Sequence, residues 1–319
     1  MIERVAIVGA GAMGGMYAAH LVDAGATVAV AARGERAARL ARDGLIVNGS
    51  AVPVAVHDAS GPPAAEPADL VIVAVKHRHL DAALDDVAPL VGPRSLFLSV
   101  LNGLDSEDRI LARFADVLTD PGQVLLGMAL GMDANRDAEG IHFGQTGVVV
   151  FGEAEASTSG EAEASTSGEH AGGAATGRVR AVQDLLDRTG LPWRTPDDMR
   201  HEMWWKFMIN CGINQASAVL DATYGEFVDD GPPRHLMEAL MLEVVEVAAA
   251  EGVTLTDADR ERWDVILADQ PVDGMTSMHQ DVAAGRPTEV DIFAGHAVAL
   301  AERHGIAVPF NSSMLQLLG

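Results

Sequence analysis

The sequence predicts an α/β protein in which an N-terminal doubly wound parallel sheet is followed by an all-α C-terminal domain. Three observations predict it. Apolar, β-branched runs alternate with helical stretches through the first half, a GxGxxG turn joins the first strand to the first helix, and only helical patterns follow residue 198.

The chain's 319 residues exceed one ordinary core and fit two domains of ~150 residues each. No apolar run approaches the roughly 20 residues needed to cross a bilayer. The opening MIERVAIVG carries Glu3 and Arg4 and enters a strand directly, without the apolar region of a secretory signal. A water-soluble, cytoplasmic protein with no membrane association is expected. The net charge of −24 argues against a nucleic-acid partner, because neutralising phosphates takes clustered Lys and Arg. Small-molecule partners are expected instead, and the sequence leaves the oligomeric state open, a homodimer included. Cys211, within the apolar MINCGI, reads as a buried filler rather than a nucleophile. Lys76 and Lys206 are the only lysines among 22 basic residues, so each invites a functional reason, with a solvated surface role as the alternative.

Strands are expected at RVAIVG, ATVAVAA, ADLVIVAV, SLFLSV, QVLLGMAL and GVVVFG. Between the early ones, the helical stretches MGGMYAAHLVDAG and ERAARLARDG end at Gly25 and Gly44, where C-caps are expected. This alternation requires a parallel sheet covered by helices on both faces. Residues 153–176 break the pattern, with EAEASTSG in tandem at 153–160 and 161–168. A tract with so little to bury predicts a disordered surface loop. VRAVQDLLDRTG then reads as a helix and LPWRTPDD as the exit, which places the domains at 1–197 and 198–319. Helices are expected in the second domain at MRHEMWWKFMINCGINQASAVL, RHLMEALMLEVVEVAAAEG, ADRERWDVILAD, MTSMHQDVAAG and EVDIFAGHAVALAERHG.

Gly9, Gly11 and Gly14 supply the dinucleotide fingerprint in its required strand–turn–helix context, which makes the first domain Rossmann-type. The first glycine permits the turn, the second admits the pyrophosphate, and the third allows close packing of the helix. Backbone N–H groups at the helix start, those of Ala12 and Met13, then hold the anion. An NAD-preferring site places an acid about 20 residues on. Here the second strand ends at Arg33, whose guanidinium suits a 2′-phosphate, with Arg36 as a second contact. The cofactor expected is therefore NADPH, although Glu35 keeps NAD open. Lys76 follows ADLVIVAV at the strand end where ligands sit in such sheets, and reads as a cofactor contact. His77 and His79 flank Arg78 and would share a face if extended, but nothing else resembles a zinc set, so no metal is expected.

Lys206, Asn210 and Asn214 are spaced i, i+4, i+8, which stacks them along one face of a helix. Their neighbours are apolar, and polar groups on a buried helix need partners or a ligand. The alternative is a solvated face with a snorkelling lysine.

In GAGAMG, VKHRHL, LNG at 101–103, WWKFMINCGIN at 204–214 and TSMHQDVAAGRPTEVD at 276–291, the chain resembles the ketopantoate reductase (2-dehydropantoate 2-reductase) family. The resemblance runs from the first strand to nearly the last helix. It implies NADPH-dependent reduction of 2-dehydropantoate to pantoate, a step towards coenzyme A. It also implies that Lys206 gives the proton to the ketone oxygen and that Asn102 lies near the nicotinamide and the substrate carbonyl. Ser277 would lie near the substrate carboxylate and Glu289 would accept from its primary hydroxyl, with Asn210 and Asn214 completing the polar pocket. A cation that stabilises a developing alkoxide and then protonates it suits this chemistry. Glu289 could equally cap the helix that follows it. Tyr224 stands where some members offer an asparagine, which leaves the substrate open. A related reductase acting on another 2-oxo or β-hydroxy acid, or a non-catalytic NADPH-binding sensor, are the alternatives.

Overall fold

A computed structural model of the protein describes residues 1–62, 66–154 and 175–319. Most of the expected loop at 153–176 thus lies outside the described residues. Its two ends are tied together, since the Thr176 hydroxyl donates to Glu153 Oε1 at 2.7 Å.

The first half of the chain runs β1 (Arg4–Val8), α1 (Ala12–Asp23), β2 (Thr27–Ala32), α2 (Gly34–Asp43), β3 (Leu45–Val47), β4 (Ser50–Val52), β5 (Ala55–Asp58) and β6 (Leu70–Val73). It continues through α3 (Leu80–Val87), β7 (Leu96–Ser99), α4 (Ser106–Arg113), β8 (Val124–Leu130), β9 (Asp133–Arg136), β10 (Ile141–Gln145), β11 (Val148–Gly152), α5 (Gly177–Thr189) and β12 (Trp193–Arg194). The main sheet has the order β12-β11-β8-β7-β6-β1-β2-β5. Its pairs are parallel except β11 with β8. That exception departs from an all-parallel expectation. Only the short strands β9 and β10 connect β8 to β11, and without a helical crossover the chain returns antiparallel.

Alternation along the buried strands separates two cores. Val5 and Ile7 pack with Leu21, Val182 and Leu185 on one face, while Ala6 and Val8 pack with Leu80, Leu84 and Ile110 on the other. Each such valine, leucine or isoleucine side chain stabilises the fold by roughly 1.5–3 kcal/mol when buried. A second sheet, β4-β3-β10-β9, lies outside the expected strands. It lies on α1, where a Cβ at Gly15 would collide with Ile141. The first turn of α4 buries Glu107, whose carboxylate accepts from the Ser106 hydroxyl at 2.8 Å. Burial pushes this carboxyl up to about 7.

Contacts divide the chain into one unit of Met1–Leu101 with Asp105–Met199 and another of Asn102–Leu104 with Arg200–Gly319. The rest of the chain is helical: α6 (Met199–Ile209), α7 (Gln215–Leu220), α8 (Pro232–Ala250), α9 (Asp257–Ala268), α10 (Ser277–Ala283), α11 (Ala294–His304) and α12 (Pro309–Leu318). The expected helix around Lys206 is interrupted, because Asn210–Asn214 between α6 and α7 forms a π-helical turn. The helix α12 lies outside the expected helices. Pro309 opens it, and the Glu243 carboxylate accepts from the N–H groups of Phe310 and Asn311 at 2.8 and 2.9 Å. Trp205, Phe207, Met241, Val244, Phe293 and Ala297 belong to one shared core. Gln215 fastens three segments of it, donating to the Cys211 carbonyl and to Asn311 Oδ1 and accepting from the Ala294 N–H. No helix among the described residues is long and apolar enough to cross a membrane.

Candidate active site

The glycine turn has the backbone that its sequence demands. Gly9 sits at φ +100°, a region side chains rarely adopt, and a Cβ there would come within 2.6 Å of the Ala74 carbonyl oxygen. A Cβ at Gly14 would run into the carbonyl of Gly9. Gly11 N-caps α1 and faces open space, which leaves room for a ligand against the backbone. Ala12 and Met13 follow it in the first helical turn, where N–H groups lack intrahelical acceptors. Arg33 N-caps α2, and its half-exposed guanidinium donates to Asp86 Oδ1 at 2.9 Å. Arg36 lies exposed in the first turn of α2. Lys76 is exposed just beyond β6. His77–His79 form a 3-10 turn rather than an extended segment, and His77 Nε2 meets Asp105 Oδ1 at 2.6 Å.

In the helical unit, Asn102, Lys206 and Glu289 come together from three distant stretches of sequence. Asn102 Nδ2 donates to Glu289 Oε2 at 3.3 Å. Lys206 keeps some open surface, yet enough protein surrounds its ammonium that lost hydration lowers its pKa to about 8, while the charge of Glu289 opposes that fall. Glu289 does not cap a helix. Its side chain makes no cap bond to the 3-10 turn at Val290–Ile292, and α11 begins only at Ala294.

Asn210 and Asn214 bracket the π turn, and Asn214 Nδ2 donates to Asn210 Oδ1 at 3.4 Å. The two amides thus remain neighbours although the α-helical spacing does not hold. Gly212, inside the turn, is the one signal in the sequence. A Cβ there would lie 2.7 Å from the Met241 side chain, so α8 can approach only where the residue is small. Such turns recur at functional sites. Cys211 beside it is buried, and burial pushes its thiol well up, away from a nucleophile's range.

Ser277 is the first residue of α10 and is exposed, without a hydrogen-bond partner among the described residues. Its neighbour Thr276 takes the capping role, accepting from the His279 N–H at 3.2 Å. Tyr224 is half-buried, which raises its phenol pKa.

Known proteins match the chain along most of its length. Residues 5–156 match the family described as Ketopantoate reductase PanE/ApbA, and residues 198–319 match its C-terminal part. A 2-dehydropantoate 2-reductase of Vibrio cholerae is 26% identical over 322 residues, covering 98% of this chain and 96% of its own. The crystal structure of 2-dehydropantoate 2-reductase from Geobacter metallireducens is 26% identical with a TM-score of 0.79, covering 99% of this chain and 98% of its own. The ternary structure of a D-mandelate dehydrogenase with NADH and anilino(oxo)acetate shares the fold at 20% identity and a TM-score of 0.78, covering 99% and 96% of the two chains. The glycine turn, the helical unit built around Lys206 and a match to both parts of the family together show that this chain belongs to the ketopantoate reductase PanE/ApbA family of oxidoreductases.

Proposed function

We propose that the chain reduces 2-dehydropantoate to pantoate with NADPH, in the cytoplasm. The observation that carries this reading is the Lys206 ammonium, with its pKa brought to about 8 and Glu289 as its counter-charge. Such a group is largely protonated at neutral pH and can still release its proton. As a ketone oxygen gains negative charge, Lys206 stabilises it and then protonates it, which serves charge neutralisation and general acid catalysis together. The hydride comes from the nicotinamide when the cofactor is bound. Asn102 orients Glu289 and offers an amide to the carbonyl, while Glu289 accepts from the substrate's primary hydroxyl. Ser277, with its hydroxyl exposed, takes the substrate carboxylate, and Asn210 and Asn214 complete the polar wall. Gly9, Gly11, Ala12, Met13 and Gly14 cradle the pyrophosphate, with Arg33, Arg36 and Lys76 on the adenosine side. The open space at Gly11 supports this fit.

A second reading, reduction of another 2-oxo acid, draws on Tyr224, whose half-buried ring replaces an amide and would favour a less polar substrate. A sensor without turnover is disfavoured, since it has no use for a half-buried acid. NADPH oxidation with 2-dehydropantoate, measured beside a panel of aromatic and aliphatic 2-oxo acids, tests the proposal. Preference for another acid replaces the substrate, and turnover of none removes the enzymatic reading.

A further inference from the structure

We propose that Arg136, with Arg36 and Arg39, forms a guanidinium site that grips a phosphate group of the dinucleotide beside the glycine turn. This deepens the cofactor reading above and rests on it. Arg136 ends β9, in the small sheet laid over α1, and its Nη1 donates to the carbonyl of Ala10, between Gly9 and Gly11. Arg36 and Arg39 lie one turn apart on the same face of α2. Partial burial, then the charges of Arg39 and Arg36, lower the Arg136 guanidinium from its ordinary range, which places all of these cations within electrostatic reach of one another.

The cluster gathers three cations in one place of a strongly acidic chain. With 46 acidic residues against 22 basic ones, exposed arginines such as Arg94 and Arg180 form no salt bridge among the described residues, but many others find a carboxylate. Arg4, Arg33, Arg109, Arg113 and Arg178 all do so. Among the described residues, no carboxylate forms a salt bridge with Arg36, Arg39 or Arg136. Asp43, one turn beyond Arg39, feels its charge but is bound to Arg42 at 2.7 Å. Like charges gathered without a counter-charge destabilise the folded chain until an anion neutralises them. The guanidinium fork matches phosphate oxygens, and the contact to Ala10 aims it at the turn where a dinucleotide's phosphates rest. Both the pyrophosphate and the 2′-phosphate of NADPH offer this chemistry.

Equilibrium binding of NADPH and of NADH to the full chain, without any oxo acid, tests the site in Arg136→Gln and Arg39→Gln. Arg39 makes no side-chain hydrogen bond among the described residues, so its variant keeps the test decisive if Arg136→Gln is unstable. The expected result is ~10-fold weaker NADPH binding in Arg136→Gln, as befits a lost charge-assisted contact. A smaller loss is expected in Arg39→Gln. Equal loss for NADH assigns the contact to the pyrophosphate, and loss for NADPH alone assigns it to the 2′-phosphate. Unchanged affinity for both cofactors in the folded variants overturns the inference. A wild-type chain that binds neither cofactor overturns it together with the cofactor reading. A chain that binds NADPH but reduces no 2-oxo acid defeats the proposed reaction and leaves this site standing.

Discussion

Asn102 Nδ2 and Glu289 Oε2 meet at 3.3 Å across 187 residues of sequence, inside the helical unit. The amide steadies a carboxylate whose charge also acts on Lys206. Glu289 is thereby held by an amide on one side while its charge opposes the fall in the Lys206 pKa.

In the proposed reaction, Lys206→Ala removes charge stabilisation and the proton donor at once. Turnover should fall by at least the ~100-fold typical of general acids. NADPH affinity should change little, because the glycine turn lies in the other unit. Steady-state turnover set beside cofactor titration checks this, and near-normal turnover removes Lys206 from its role.

The pKa of about 8 at Lys206 sets a pH profile. Turnover should decline as pH rises through about 8, where the acid loses its proton. Unfolding does not explain such a decline. A lysine bound less tightly to its proton when folded leaves the unfolded chain with more protons between about 8 and the ordinary 10.5, so this group contributes rising stability over that window. In Glu289→Gln the opposing charge is gone and the break should move to lower pH. A break that stays in place would mean that Glu289 does not act on Lys206.

Arg33→Ala should weaken NADPH binding far more than NADH binding, because only NADPH carries the phosphate that a guanidinium can grip. The half-exposed pair with Asp86 contributes at most about 1 kcal/mol, so the variant should fold. Parallel titrations with both cofactors decide, and equal loss takes Arg33 out of cofactor discrimination.

Glu107 is 4% exposed and its carboxyl is pushed up to about 7, chiefly by lost hydration. The folded chain therefore holds this proton through the range above the ordinary 4.5 where the unfolded chain releases it, and stability falls as pH rises towards about 7. Glu107→Gln should match the wild type near pH 5 and melt higher above pH 7, by an increment worth at most about 3 kcal/mol. Thermal melts at both pH values check this. A variant equally or less stable at the higher pH would show that the carboxylate's hydrogen bonds outweigh its burial.

Local signals in the sequence determined the main strands, most of the helices and the glycine turn, because each depends on residues close together in the chain. Alternation placed Val5 and Ile7 opposite Ala6 and Val8, and the spacing of Gly9, Gly11 and Gly14 matched a turn that tolerates no Cβ at its first and third positions. Spacing and the scarcity of lysine pointed to Lys206, and resemblance added Asn102 and Glu289, but nothing local to any of them says that Asn102 meets Glu289 or that Glu289 acts on Lys206. Only the tertiary structure decided that meeting, along with the π turn at Asn210–Asn214, the pairing of Arg33 with Asp86 and the approach of Arg136 to Ala10. Each of these depends on packing between segments far apart in sequence, where a neighbouring helix or an opposite charge selects among conformations that the local sequence leaves nearly equal in energy.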